Sequence, residues 1–123
     1  NSSRYFKSLG QQVYFSLLNY VDGVIGNSSS GLLEIPYFKK ATINIGDRQK
    51  GRLSASSVIN CRGDKNEISK AISKVYSTRF SEKLENVNCP YGEPGASKRI
   101  VNQLKKVDYR NLLQKKFYDI AIK

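Results

Sequence analysis

Histidine and methionine are absent from the 123 residues, cysteine occurs twice, and acidic residues are scarce, with 10 Asp and Glu against 21 Lys and Arg. The lack of histidine excludes every mechanism in which this chain alone would supply a Ser/His or Cys/His pair, a histidine general base or a His-ligated metal. Cys61 and Cys89 have neither metal-ligand spacing nor the density of a secreted disulfide scaffold, which favours a reducing compartment. No apolar run approaches the roughly 18 residues that a membrane span needs, and the first ten residues, NSSRYFKSLG, lack the apolar centre of a signal peptide. These absences together predict a cytoplasmic chain with no membrane partner. The missing methionine means that the initiator has been removed or that the chain is a piece of a longer one, and its organisation favours a piece.

What is present suffices for one folded domain. A chain of this length buries about two thirds of its unfolded surface, and 39% hydrophobic residues can supply the core. Disorder is therefore not expected. Apolar periodicity alternates between helical and strand spacing. Tyr5 and Phe6 read as the end of a strand. Residues 11–21 carry Val13, Leu17, Leu18 and Val21 at helical spacing, and Asp22-Gly23 breaks the pattern. Residues 23–25 read as a short buried strand and residues 32–38 as a helix, although Pro36 removes a backbone donor there. The β-branched run ATINI, residues 41–45, predicts a second strand and residues 58–61 a third, separated by a long polar loop. Residues 64–76 set Ile68, Ala71, Ile72 and Val75 on one helical face, with Asp64 as N-cap. Residues 80–95 read as a connector, and residues 96–118 as two final helices.

This order predicts an α/β fold, a parallel sheet with flanking helices, in which ligands bind beyond the carboxyl ends of the strands. Two loops occupy such ends. Gly26-Asn27-Ser28-Ser29-Ser30-Gly31 leaves the first strand and opens a helix. Small residues let the backbone approach a ligand closely, and amides and hydroxyls there suit a phosphate. The same residues equally make a turn with one serine capping the helix. Glu34, one turn further on, can accept from both hydroxyls of a ribose or stand as a solvated helix residue. In Gly46-Asp47-Arg48-Gln49-Lys50-Gly51-Arg52, Arg48 can pair with a diphosphate or lock the loop to Glu34 or Asp47.

The runs GVIGNSSSGLLEIPYF and ATINIGDRQKGR, with SVIN, CPYGEPGASKRIV and KKFYDI following, resemble the UDP-N-acetylglucosamine 2-epimerase family. The NSSSG form resembles the hydrolysing, sialic-acid-pathway branch, whose non-hydrolysing relatives usually carry Asp-Ser-Gly-Gly at that turn. The resemblance implies a Rossmann-like fragment of the C-terminal domain of a glycosyltransferase-B type two-domain fold, with residues 1–123 as its UDP-holding part. It assigns Ser28 and Ser29 to the diphosphate, Glu34 to the uridine ribose, Arg48 to the nucleotide side of the pocket, and the backbone near Ser8 and Leu9 to uracil. It further implies a UDP-sugar substrate, an N-terminal domain of the same enzyme carrying the acid and base residues, a homo-oligomer when full length, and neither cofactor nor metal. No catalytic residue is expected within this chain.

Asp22, Asp47, Asp64 and Glu67 have ordinary roles as turn former, loop ion pair or helix cap, and Arg62-Gly63-Asp64 reads as a strand-to-helix turn. A glycosyltransferase with the same cleft is a competing class. The net charge of +11 raises another, nucleic-acid binding. Residues 96–123 hold eight of the basic residues against two acidic ones. Their scatter along the predicted helices, without a recognised motif, fits a solvated face better, so no nucleic-acid partner is expected.

Overall fold

The computed structural model describes residues 3–111, which fall into two compact units divided after Gly92. In the first unit, α1 (Gly10–Leu18), β1 (Gly23–Gly26), α2 (Ser30–Leu33), a 3-10 turn (Ile35–Phe38), β2 (Ala41–Ile45), β3 (Val58–Cys61), α3 (Lys65–Val75) and α4 (Thr78–Glu85) follow in order. The three strands form one parallel sheet in the order β1-β2-β3. Gly23 to Gly26 face Ala41 to Asn44, and Thr42 to Ile45 face Val58 to Cys61. This is the predicted α/β class, and the strand limits expected at residues 41–45 and 58–61 are those observed.

Alternation along β2 divides its side chains between two layers. Ala41 and Ile43 join Ile59, Ala71 and Phe80 in a core sealed by α3 and α4, with Ile45, Cys61, Val75 and Leu84 packed around it. Thr42 and Asn44 are buried as polar groups on the alternate positions. The Thr42 hydroxyl donates to the Gly31 carbonyl at 2.8 Å, and Asn44 Nδ2 donates to Asn60 Oδ1 at 2.8 Å. Thr42 thereby holds α2 against the sheet. A Cβ on Gly31 would lie 2.6 Å from Thr42 Cγ2, so only glycine permits this approach.

α3 begins as expected, with the Asp64 carboxylate accepting from the Glu67 amide at 3.0 Å. The Arg62-Gly63-Asp64 segment is the turn between β3 and that cap. Glu67 pairs with Lys70 at 3.0 Å.

Four expectations need correction. The helix expected over residues 32–38 is two pieces, because Pro36 cannot donate to the carbonyl four residues back; the chain resumes as a 3-10 turn in which the Tyr37 amide bonds to Glu34 O at 3.1 Å. The first helix stops at Leu18 rather than residue 21, with Asn19 and Tyr20 amides bonded to Ser16 and Leu17 carbonyls in a closing turn. Residues 80–95 are not all connector: α4 occupies part of that stretch and buries Phe80. Tyr5 and Phe6 form no strand and are exposed.

In the second unit, α5 (Ala96–Leu104) starts after Gly95, whose φ of 89° turns the chain into the helix. Arg99 ties its first turn down by donating to the Pro94 and Glu93 carbonyls at 2.8 and 2.7 Å. A 3-10 turn (Tyr109–Asn111) follows, and Arg110 pairs with Asp108 at 2.9 Å. The rest of the last helix expected up to residue 118 lies outside the described residues.

Candidate functional site

Both loops singled out in the sequence leave the carboxyl ends of neighbouring strands, β1 and β2. They are joined by a residue that the motif reading passed over. Gln49 is buried and its Nε2 donates to the Asn27 carbonyl at 2.7 Å, so the turn after β2 is fastened to the turn after β1. Gly46, with a φ of 75°, lets the chain swing out of β2 toward that contact.

The three serines of the first loop have separate roles. Ser28 Oγ accepts from the Ser30 amide at 3.3 Å, and its carbonyl accepts from Gly31 N at 3.2 Å, so Ser28 shapes the turn. Ser29 occupies the N-cap position of α2 but its hydroxyl makes no capping bond. Ser30 Oγ donates to Glu34 Oε2 at 2.5 Å and meets Tyr14 Oη at 2.8 Å. The capping alternative is therefore met by the residue before the helix boundary, while the boundary serine's hydroxyl has no partner among the described residues.

Glu34 is half-buried at the break between α2 and the 3-10 turn. It lines a groove of about 690 Å³ together with Arg4, Ser8, Leu9, Tyr14 and Phe15. A second groove, which runs along β1, is lined by Arg4, Tyr14, Ser28 and Ser30. Arg4 and Tyr14 belong to both. The structure thus sets Glu34, with Ser8 and Leu9, on one groove and Ser28 on another that shares two of its lining residues. α1 is held there by the Tyr14 hydroxyl and by tilted packing of Phe15 on Phe38, ring centres 5.4 Å apart.

Arg48 is exposed and, among the described residues, forms no ion pair, so of the two alternatives the locking to Glu34 or Asp47 is not observed. It precedes the anchored Gln49 and does not line either groove. Its neighbours Asp47, Gln49, Lys50 and Arg52 line a separate cavity between the ends of β2 and β3. The spacing of single residues gave no signal for Arg4, Tyr14 or Gln49. Tyr14 and Gln49 bond to residues 16 and 22 positions away, and Arg4 meets the site only as lining of the two grooves.

Cys61 and Cys89 are both free thiols. Burial pushes the Cys61 thiol up, and the Glu67 and Asp64 carboxylates push it further in the same direction, so it is no activated nucleophile. Among the described residues no group of His, Cys, Asp and Glu could hold a metal ion, and no helix is long and apolar enough to cross a membrane.

A three-stranded parallel sheet flanked by helices, with serine-rich and basic loops at the carboxyl ends of adjacent strands, defines a Rossmann-like α/β fragment. Residues 1–105 match the family model described as UDP-N-acetylglucosamine 2-epimerase, and the chain belongs to that family. It is 41% identical over 118 residues to polysialic acid biosynthesis protein P7 of Escherichia coli, a match covering 95% of this chain and 30% of that protein. It is 39% identical over 121 residues to the hydrolyzing GDP/UDP-N,N'-diacetylbacillosamine 2-epimerase of Campylobacter jejuni, covering 98% of this chain and 31% of that protein. The chain therefore spans less than a third of the length of these curated relatives.

Proposed function

We propose that this chain is the UDP-holding part of a hydrolysing UDP-N-acetylglucosamine 2-epimerase, within the C-terminal domain of a two-domain enzyme. The observation that carries this reading is the pair of grooves that share Arg4 and Tyr14, one lined by Ser28 and Ser30 and the other by Glu34, Ser8 and Leu9. A nucleoside diphosphate asks for both kinds of group, donors for its phosphates and an acceptor for its ribose hydroxyls. Ser28 and Ser29 take the diphosphate, Glu34 accepts from the ribose hydroxyls, the backbone at Ser8 and Leu9 faces uracil, and Arg48 approaches from the nucleotide side.

In the complete enzyme, loss of the C2 proton and elimination of UDP give a glycal, and addition of water gives the 2-epimer. The net reaction converts the UDP-sugar and water into UDP and N-acetylmannosamine, or a related amino sugar, for sialic-acid-type synthesis. Elimination builds negative charge on the departing diphosphate. Hydroxyls, amides and the Arg48 guanidinium that bind the charged leaving group more strongly than the bound sugar ester lower that barrier. Acid and base residues come from the N-terminal domain, since this chain has no histidine. The nucleotide-sugar substrate and the two free thiols fit a cytoplasmic enzyme, active as a homo-oligomer.

The test is release of UDP and N-acetylmannosamine from UDP-N-acetylglucosamine by the complete protein, beside residues 1–123 alone. The fragment should give no turnover, and steady turnover by the pure fragment would overturn the assignment of half a site. Glu34→Gln in the complete protein should weaken UDP binding by about 1–3 kcal/mol, the order for a hydrogen bond to a charged group. Titration with duplex DNA at two salt concentrations separates this reading from a basic nucleic-acid binder, whose affinity falls steeply with salt.

A further inference from the structure

We infer that Tyr14 and Ser30 are positioning residues for Glu34, and that they make the preference for a ribonucleotide over its 2′-deoxy counterpart depend on a hydrogen-bond chain starting on α1. The inference rests on the proposed ribose role of Glu34. Its physical basis is the accounting of protons along three side chains. Ser30 has one hydroxyl proton, and it is given to Glu34 Oε2 at 2.5 Å. The 2.8 Å contact between Tyr14 Oη and Ser30 Oγ can then be made only with Tyr14 as donor. The direction of the chain is fixed as Tyr14 to Ser30 to Glu34.

This order has a consequence at the carboxylate. The terminal torsion of a glutamate is soft and two-fold, so an unrestrained carboxylate samples many orientations. Restraint is most needed here, because Glu34 stands where α2 ends and the 3-10 turn begins, with φ −112° and ψ −46°. Its amide is held by the Ser30 carbonyl at 2.9 Å, which fixes the main chain but not the carboxylate. The Ser30 hydroxyl supplies that restraint by occupying Oε2, and among the described residues Oε1 has no partner. Tyr14 and Glu34 line the same groove, the surface on which the nucleotide is proposed to lie. A carboxylate with one oxygen committed presents the other in one orientation, ready to accept from a 2′-hydroxyl. A 2′-deoxynucleotide lacks that donor and, with only its 3′-hydroxyl left, gains less from the alignment.

Calorimetric titration of the complete protein with UDP and with 2′-deoxy-UDP tests this, with melting curves in parallel. Tyr14→Phe and Ser30→Ala should each bind UDP about three- to tenfold more weakly, the factor one neutral hydrogen bond contributes, while affinity for 2′-deoxy-UDP falls less, so that the ratio of the two affinities narrows. Ser30→Thr, which keeps the hydroxyl, should restore the ratio. Glu34→Gln should lose it. If Glu34→Gln lowers the ratio while Tyr14→Phe and Ser30→Ala preserve it, the chain is overturned and the ribose role stands. If Glu34→Gln itself preserves the ratio, the ribose role fails and the inference with it. A fall in melting temperature with an unchanged ratio would assign Tyr14 and Ser30 to packing of α1 on α2 and overturn the positioning role. Should Ser30→Ala fail to fold, Tyr14→Phe decides alone.

Discussion

Gln49 Nε2 donates to the Asn27 carbonyl at 2.7 Å, and this one bond joins the loops at the carboxyl ends of β1 and β2. Gln49 is 5% exposed whereas Asn27 is exposed, so water can reach the Asn27 carbonyl once the amide is lost. Gln49→Ala should destabilise the fold by about 0.5–1.5 kcal/mol, the net worth of one hydrogen bond. Gln49→Glu should cost more, because it places a second acceptor against the first. Urea unfolding of both variants checks the order; equal stability to the parent would mean that the loops are joined by something else.

Gly31 and Thr42 form a matched pair. Gly31→Ala gains about 1 kcal/mol in helix propensity but meets Thr42 Cγ2 at 2.6 Å, and overpacking of this kind costs about 1–3 kcal/mol. The net effect should be destabilising. Thr42→Ser removes the methyl and keeps the hydroxyl that donates to Gly31 O. In that background Gly31→Ala should be neutral or stabilising. A double-mutant cycle showing no coupling between the two positions would contradict the contact.

Ser28 and Ser29 should separate in their effects. Ser28→Ala removes the acceptor of the Ser30 amide and should cost about 0.5–2 kcal/mol of stability, as capping serines do. Ser29 makes no capping bond, so Ser29→Ala should leave the melting temperature nearly unchanged. If its hydroxyl serves the diphosphate, it should slow single-turnover UDP release by the equivalent of about 2.7–4 kcal/mol, the range for losing a transition-state donor. A stability loss with an unchanged release rate would assign Ser29 to the helix instead.

Arg48 is exposed and outside any ion pair among the described residues, so Arg48→Ala should barely move stability. Its effect should be confined to UDP affinity and turnover of the complete protein. Unchanged affinity together with unchanged rate would remove it from the site.

Cys61 offers a pH test of the core around β3. Burial first, then Glu67 and Asp64, raise its thiol above the ordinary range. A raised pKa means that the thiolate forms at higher pH than in a free thiol. In a Cys89→Ser background, the rate of alkylation should therefore keep rising beyond the pH at which a small exposed thiol levels off. Asp64→Asn with Glu67→Gln should bring the midpoint part of the way down, burial keeping the rest. A midpoint at or below that of a free thiol would contradict the packing of Cys61.

The sequence alone determined the features whose causes are local. β2 and β3 are legible because short β-branched runs are bounded by glycine or charge, and the start of α3 because Asp64 caps a regular apolar face. The serine-rich turn and Glu34 were legible as candidates, since their residue types and spacing are themselves the signal. Tertiary structure decided the rest. α4 is hidden in the sequence because it offers little beyond Phe80 and Leu84, which gain their meaning only against the sheet and α3. The division of labour among Ser28, Ser29 and Ser30 depends on where α2 begins and on Tyr14, 16 residues away from Ser30. Gln49 stands 22 residues from Asn27 and looks like any polar loop residue until parallel pairing of β1 with β2 brings their loops side by side. Local rules read one chain segment at a time, whereas a hydrogen bond between distant side chains exists only after the backbone has brought its donor and acceptor within about 3 Å.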